Sequence, residues 1–300
     1  MKLIDQLTSP RLSLSFEVFP PKTETSFESV RSATRAIAAL KPSFISVTCG
    51  AGGAGGRNTL EIAREMRQMG VETLAHLTCV GADRDGVGAS LSRLREAGLE
   101  NIMALRGDLP EGMDRPGDFA HAADLIRFIR ENGDFCIGAA CYPEVHPESR
   151  NQAEDLRHLR EKVEAGADFL TTQMFFDNNL LYNFLYKLRE AGVSVPVVPG
   201  IMPITGANQV RRARELSGSF MPRRFTALVD CFGGDAEAMR RAGIIYATDQ
   251  IIDLYANGIR HVHVYTMNKP EVAEAIQRNL APMLGMEPES ARRGGEGRNE

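Results

Sequence analysis

The sequence predicts a single (β/α)8 barrel, and three observations support this fold class. The chain has 300 residues, a length that suits one large domain or two small ones. Eight short apolar or β-branched runs each precede a longer amphipathic stretch. Several of these stretches end in a glycine just before the next run: Gly70, Gly98, Gly166, Gly192 and Gly258. Such alternation requires a parallel sheet, and eight units in this length favour a TIM barrel, with an open doubly wound sheet as the alternative.

The periodicity of the residues predicts each element in turn. Short apolar and β-branched runs predict strands at 12–19, 43–48, 72–78, 101–105, 135–140, 168–172, 195–199 and 261–265. Apolar residues at helical spacing, such as Leu156, Leu159 and Val163, indicate the helices between them. These predicted helices lie at 26–40, 59–69, 85–97, 119–131, 148–165, 180–191 and 207–216.

One long interval separates the seventh and eighth predicted strands. It spans residues 201–257 and contains a Pro/Arg-rich break at 221–224 and a second helix at about 235–255. We interpret this interval as an extra loop and helix inserted into the barrel. The predicted organisation is therefore one catalytic barrel at 1–286 and a polar, disordered tail at 287–300.

The composition excludes several classes of protein. A net charge of −4 argues against nucleic-acid binding, which needs a concentrated surface of Lys and Arg. The five cysteines form no C-x-x-C pair, which argues against a zinc ribbon and favours a reducing compartment. We see no secretory signal at the start and no stretch near the roughly 18 apolar residues of a membrane span. We therefore expect a cytoplasmic protein with neither nucleic-acid nor membrane partners.

In a barrel of this kind, functional residues belong at the carboxyl ends of the strands. The first strand alternates strictly between two faces, with Leu12, Leu14, Phe16 and Val18 on one and Ser13, Ser15 and Glu17 on the other. We expect the polar face to point into the barrel, where partial desolvation raises the pKa of Glu17 and suits it to donate a proton. The alternative is a Glu17 paired with a neighbouring Arg or Lys.

Two further patterns allow other functions. His76, Asp108, Glu144 and His146 follow or lie in predicted strands and could form a metal site, although no H-x-H or H-E-x-x-H pair supports one. Residues 50–55 satisfy G-x-G-x-x-G after a strand. The following strand does not end in the acidic residue that a dinucleotide site needs, so we favour a flexible loop there. We predict no metal site.

Eight segments, each at a predicted strand end, together resemble the methylenetetrahydrofolate reductase family in its short, single-domain bacterial type. They are SFEVFPP at 15–21, SVT at 46–48, AHLTC at 75–79, NIMALRGD at 101–108, YPEVHPE at 142–148, DFLTTQMFFD at 168–177, PGIMPI at 199–204 and YTMN at 265–268. They run in order through nearly the whole chain. The resemblance implies a barrel with non-covalent FAD that reduces 5,10-methylenetetrahydrofolate to 5-methyltetrahydrofolate. Hydride would come from NADH or NADPH through the flavin, with one substrate leaving before the next binds.

The resemblance also implies roles for individual residues. Glu17 matches the general acid that protonates the folate, and Asp108 matches a carboxylate that stabilises the cationic intermediate and lies near the flavin. Gln173, Gln209 and Lys269 match substrate contacts. The matching cofactor contacts are Thr48, Ala51, His76, Arg106, Gly107, Asp108, Tyr142, His146, Asp155 and Lys162.

Two residues differ from the family pattern. Cys49 stands where the family usually has an aromatic residue, and Lys269 stands where it usually has Arg. These changes leave open a protein electron donor in place of a nicotinamide. The family also implies a homo-oligomer. Two alternatives stay open: a non-catalytic subunit that binds flavin or folate in a larger redox assembly, and a metal-dependent lyase or hydrolase that uses His76, Glu144 and His146.

Overall fold

The computed structural model describes residues 1–21, 26–49, 57–108 and 117–286 and confirms the barrel. Its nine strands pair in parallel in the order β7-β6-β5-β4-β3-β2-β1-β9-β8. The strands are β1 (Ser13–Val18), β2 (Ile45–Val47), β3 (Thr73–Thr78), β4 (Asn101–Leu105), β5 (Cys136–Cys141), β6 (Phe169–Thr172), β7 (Val197–Val198), β8 (Gly200–Ile201) and β9 (His261–Tyr265).

Helices alternate with these strands, as the sequence predicts. They are α1 (Leu3–Leu7), α2 (Phe27–Ala39), α3 (Arg57–Gln68), α4 (Arg84–Glu96), α5 (Ala122–Asn132), α6 (Gln152–Glu164), α7 (Asn178–Glu190), α8 (Ala207–Ser217), α9 (Arg223–Phe232), α10 (Ala236–Ala256) and α11 (Pro270–Leu280). Within the described ranges, no helix is both long and apolar enough to cross a membrane. The predicted tail at 287–300 lies outside the described residues.

The seventh predicted strand is divided into β7 and β8 by Pro199. Proline has no N–H to donate, so the hydrogen-bond ladder cannot continue unchanged through it. Instead, β7 pairs with β6, the carbonyl of Pro199 accepts a hydrogen bond from the His263 amide at 2.8 Å, and β8 pairs with β9. The two short strands therefore act as one interrupted strand that closes the eight-membered barrel.

The insertion before β9 contains one more helix than predicted. The predicted break at 221–224 coincides in its first half with the end of the non-helical segment 218–222 after α8, and α9 begins at Arg223 directly after Pro222. Pro222 has φ −65°, which suits the start of a helix, where no backbone N–H partner is required. The ring of Phe225 in α9 stacks on Phe176 at 4.9 Å, which fixes the insertion against the loop after β6.

Two apolar clusters leave one end of the barrel open. As predicted, Leu14, Phe16 and Val18 of β1 are buried in the cluster between the strands and the helices. A second cluster joins α1 to interior residues and fills the amino ends of the strands: Leu3, Leu7, Phe44, Leu74, Met103, Cys136, Phe169 and Val198. A closed amino end leaves the carboxyl ends of the strands to form the site.

Gly243 tests how closely α10 approaches the segment that follows β8. A Cβ at this position would lie 1.7 Å from the carbonyl oxygen of Ile204, whereas a Cβ on Gly88 in α4 would meet nothing within 4 Å. We expect Gly243→Ala to lower the free energy of unfolding by about 1–3 kcal/mol or more, because the backbone must move. Gly88→Ala should raise it by up to about 1 kcal/mol. Urea titrations followed by circular dichroism measure both, and equal stabilities would contradict the close approach.

Candidate active site

A cavity of about 1350 Å³ opens at the carboxyl ends of the strands. It exceeds the roughly 300–1,000 Å³ of a typical small-molecule pocket. Eleven of the residues that the sequence predicts for the site line it: Glu17, Thr48, His76, Arg106, Gly107, Asp108, Tyr142, His146, Asp155, Lys162 and Gln173. Ala51 lies outside the described residues. The barrel therefore gathers into one space residues that are far apart in the chain.

Glu17 lies at the inner wall of this cavity and is 8% exposed. Its Oε2 lies 3.3 Å from the Ser46 hydroxyl, 3.6 Å from His76 Nε2 and 4.0 Å from His263 Nε2. In the described part of the chain, no Lys or Arg forms an ion pair with it, contrary to the alternative that the sequence left open. Burial raises the pKa of Glu17 to about 8.

Both histidines beside Glu17 are neutral near pH 7. Burial lowers the pKa of His76 to about 4, and burial together with the neighbouring His76 lowers the pKa of His263 to about 3. His76 Nε2 is buried and has no hydrogen-bond partner within the described ranges. Neutral neighbours cannot draw the proton from Glu17 by charge, so the carboxylic acid form persists near neutral pH.

The loop after β9 holds the end of β1 in place. Thr266 Oγ1 donates a 2.6 Å hydrogen bond to the carbonyl oxygen of Glu17. Asn268 binds both backbone groups of Phe19, accepting from its amide at 2.8 Å and donating to its carbonyl at 2.9 Å. Met267 and Asn268 adopt φ values of 53° and 54°, in the left-handed region that residues other than glycine rarely occupy. This conformation lets the YTMN segment fix the backbone next to Glu17.

Arg106 and Asp108 lie at the mouth of the cavity. The guanidinium of Arg106 donates two parallel hydrogen bonds to Glu148, at 2.5 and 2.6 Å. Gly107 lies between Arg106 and Asp108 in the sequence and has φ 90°. A Cβ at this position would lie 2.7 Å from Val80 Cγ1, so glycine suits this turn. Asp108 is exposed, and its carboxylate interacts electrostatically with Arg106 and Tyr142.

A second polar group lies across the cavity, after β5 and on α6. Lys162 Nζ donates to the Ala140 carbonyl at 2.9 Å, and burial lowers its pKa. Burial raises the pKa of Asp155, an effect that Lys162 reduces. Tyr142 and His146 meet edge to face with ring centres 4.5 Å apart. Cationic and hydrogen-bonding groups of this kind can hold phosphate and hydroxyl groups.

The predicted substrate contacts separate into two places. Gln173 lines the cavity, and its Oε1 accepts from the Met174 amide at 2.9 Å. Gln209 and Lys269 are not among the lining residues. Instead, Gln209 Oε1 accepts from the Thr205 amide at 2.8 Å, and Lys269 Nζ donates to Thr205 Oγ1 at 2.8 Å. The structure thus brings these two together at Thr205, outside the cavity lining that contains Gln173.

Sequence reasoning assigned no role to three residues that border Glu17. Ser46 of β2 contacts Glu17 Oε2 at 3.3 Å, and His263 and Tyr265 of β9 line the same cavity as Glu17. The alternation HVHVY at 261–265 could have revealed the last two, because β9 lies beside β1 with Ser15 opposite His263 and Glu17 opposite Tyr265. Neighbouring parallel strands in register present the same face, so these residues join Ser15 and Glu17 inside the barrel.

The residues of the metal alternative do not converge. His76 and His146 line the cavity, but Glu144 does not; its Oε2 accepts from the Phe220 amide at 2.7 Å. Among the residues that the structure describes, no group of three or more His, Cys, Asp or Glu could hold a metal ion.

Comparison with known proteins identifies the family. The family model for methylenetetrahydrofolate reductase matches residues 2–281. A 5,10-methylenetetrahydrofolate reductase from Pectobacterium carotovorum subsp. carotovorum is 35% identical over 283 residues, covering 94% of this chain and 93% of the relative. The one from Escherichia coli K12 is 34% identical, covering 92% and 93%. Methylenetetrahydrofolate reductase (NADH) 1 from Zea mays is 37% identical over 93% of this chain, and the chain spans about half the length of that relative (50%).

A solved structure supports the fold alone. An uncharacterized protein from Clostridium thermocellum that binds two copies of 5-methyl-5,6,7,8-tetrahydrofolic acid superimposes with a TM-score of 0.64. The two chains are 12% identical, and the match covers 95% of this chain and 100% of that one. The match of the family model through the barrel, together with the full-length bacterial relatives, shows that this chain belongs to the methylenetetrahydrofolate reductase family.

Proposed function

We propose that this protein reduces 5,10-methylenetetrahydrofolate to 5-methyltetrahydrofolate, with hydride supplied by non-covalently bound FAD and ultimately by NADH or NADPH. The observation that carries the proposal is the buried carboxyl of Glu17, which keeps its proton near neutral pH at the wall of a large cavity. Family membership supports the reaction. The name of the maize relative specifies NADH, and the names of the two bacterial relatives specify no nicotinamide.

The cavity fits a cofactor of the size and polarity of FAD. Its volume accommodates a ligand larger than a drug-sized molecule. Two buried polar atoms in its wall, His76 Nε2 and Thr171 Oγ1, lack hydrogen-bond partners among the described residues, and such atoms normally bind a ligand or water. Arg106, His146 and Lys162 would hold the phosphates and hydroxyl groups, with Thr48, Gly107, Tyr142 and Asp155 beside them. When bound, FAD supplies the hydride transfer that side chains cannot perform.

Glu17 supplies the proton that activates the folate. Protonation of N10 opens the five-membered ring of methylenetetrahydrofolate and leaves a cationic iminium that accepts hydride. A carboxyl group with an ordinary pKa is ionised at pH 7 and has no proton to donate, whereas the pKa of about 8 leaves Glu17 in its acid form. The neutral His76 and His263 preserve that form.

Asp108 stabilises the cation that results. Its carboxylate lies at the cavity mouth without an ion-pair partner among the described residues, so its negative charge is available to the positive folate intermediate. Gln173 orients the bound substrate from the cavity wall. Gln209 and Lys269, which meet at Thr205 outside the lining, would contact the more distant part of the folate.

The cellular location, the oligomeric state and the electron donor of the protein belong to the same proposal. None of the five cysteines forms a disulfide, which supports a reducing, cytoplasmic location. We propose a homo-oligomer in keeping with the family. Electron delivery by a protein partner instead of a nicotinamide is the alternative that the reduction experiment below distinguishes.

The titration of Glu17 predicts how stability depends on pH. The folded protein binds this proton more tightly than the unfolded chain, so the free energy of unfolding falls as pH rises from about 4.5 to about 8. Glu17→Gln removes this loss. We expect the variant to be more stable than the wild type above pH 8, by at most about 5 kcal/mol, and equally stable near pH 4.5. Urea unfolding across this pH range measures the difference, and a constant difference would contradict the raised pKa.

Anaerobic rapid mixing tests the function and the cofactor together. The purified protein should carry FAD. NADH or NADPH should reduce it and bleach its absorbance, and methylenetetrahydrofolate should then reoxidise it and restore that absorbance. In Glu17→Gln, bleaching by the nicotinamide should stay near the wild-type rate while restoration by folate slows by at least about 100-fold, because the acid is lost. A wild-type flavin that folate never reoxidises would overturn the proposed reaction and favour a non-catalytic subunit. Bleaching by neither nicotinamide would favour a protein electron donor.

The same experiment separates Asp108 from other surface carboxylates. Asp108→Asn should slow the folate step by about 10-fold or more through lost charge stabilisation. Asp134→Asn is the matched control, because Asp134 is exposed and lies just before β5, at the opposite end of the barrel. Equal folate rates in these two variants would contradict the role of Asp108.

A further inference from the structure

A chain of hydrogen-bonding groups runs from β1 through β9 and β2 to Glu17. Ser15 Oγ lies 2.7 Å from His263 Nδ1 and 3.2 Å from the Val262 carbonyl oxygen. His263 Nε2 lies 2.9 Å from Ser46 Oγ, which in turn lies 3.3 Å from Glu17 Oε2. Ser15, Ser46 and His263 are each no more than 2% exposed, so these contacts cannot be replaced freely by water. Each of these hydrogen bonds must therefore have one donor and one acceptor, which restricts where the hydrogens can lie.

The first two contacts determine which nitrogen of His263 carries hydrogen. A hydroxyl has one hydrogen to donate, and a carbonyl oxygen can only accept. Ser15 satisfies both of its contacts only if it donates to the Val262 carbonyl and accepts from Nδ1–H of His263. Because His263 is neutral, its Nε2 then carries no hydrogen and must accept.

The remaining contacts determine the state of Glu17. Since Nε2 of His263 accepts, the single hydrogen of the Ser46 hydroxyl points to His263. The Ser46 oxygen is left as an acceptor toward Glu17 Oε2, and that contact is satisfied only when Glu17 itself carries the proton. Every contact in the chain is thus satisfied in one arrangement, and it is the arrangement with a carboxylic acid.

We propose that His263 is a positioning residue that turns the Ser46 hydroxyl away from Glu17, so that the carboxyl group keeps its proton. The hydrogen-bond assignment stands on geometry, whereas its catalytic meaning rests on the proposed function. Among the described residues, the titratable groups that face Glu17 are His76 from β3 and His263 and Tyr265 from β9, and β2 contributes the Ser46 hydroxyl. None of the three titratable groups is charged near pH 7.

The opposite arrangement has a distinct consequence. If Ser46 donated to Glu17, its hydrogen bond would stabilise the carboxylate and lower the pKa of Glu17. Without an acceptor at position 263, the Ser46 hydroxyl is free to make that bond. Removal of the His263 acceptor should therefore favour the ionised form of Glu17, although the carboxyl group itself is unchanged.

The test is an infrared pH titration of the protonated carboxyl band of Glu17, assigned by its loss in Glu17→Gln. His263→Phe keeps the ring that stacks on Phe44 at 5.4 Å but removes the acceptor. We expect the midpoint of the titration to fall by about one to two pH units, the effect of one hydrogen bond to a charged group. A midpoint that is unchanged or raised would overturn the proposal.

His261→Phe is the matched control. His261 lies two residues earlier on β9 and makes the same contact one layer lower, with Nδ1 2.7 Å from Ser13 Oγ, but it forms no contact with Glu17. In His261→Phe, the midpoint of the Glu17 titration should equal that of the wild type. An equal fall of the midpoint in His261→Phe and His263→Phe would overturn a specific role for His263. Ser46→Ala should not raise the midpoint, whereas a rise would show that Ser46 donates to Glu17.

Nitrogen-15 spectra of the unmutated protein test the same assignment if a variant fails to fold. The His263 signals, read at pH 7, should show a protonated Nδ1 and an unprotonated Nε2, and the reverse would overturn the proposal. Neither spectroscopic measurement uses folate. If both give the expected result while folate is not reduced, the hydrogen-bond chain stands and only the proposed function fails.

Discussion

The burial of one acidic side chain at the end of a barrel strand is the constraint on which this site depends. Glu17 has no cation beside it among the described residues, and its closest neighbours are neutral histidines and a hydroxyl. Desolvation therefore acts on it almost unopposed and keeps it a carboxylic acid near neutral pH. Glu17 can therefore donate a proton at pH 7 because it is buried and because no cation among the described residues lies beside it to stabilise the carboxylate.

The barrel maintains that environment by ordinary strand geometry. Parallel strands in register place Ser15 beside His263 and Glu17 beside Tyr265, so alternate residues of β1 and β9 share the interior. The apolar residues of the same strand face the helices and hold β1 in the core. The bonds from Thr266 and Asn268 fix its end, which limits how far Glu17 can move toward water.

The sequence was sufficient for the fold and for most of the cavity, because both depend on local periodicity and on the end of each strand. The alternation around Glu17 is visible within one strand. The divided strand at Pro199 and the helix that begins at Arg223 depend on which neighbour each backbone group meets, and local propensity does not specify that. The pairing of Gln209 with Lys269 through Thr205, and of Arg106 with Glu148, likewise joins residues distant in the chain.

We propose that Glu17 is a neutral acid at pH 7 and that an ordered set of hydrogen bonds holds it in this state. Neutron diffraction from crystals grown in deuterated buffer at pH 7 tests it most directly, because it locates each hydrogen. We expect deuterium on the Glu17 carboxyl and on His263 Nδ1, with the Ser46 deuterium directed at His263 Nε2. A bare Glu17 carboxylate that accepts the Ser46 deuterium would contradict it.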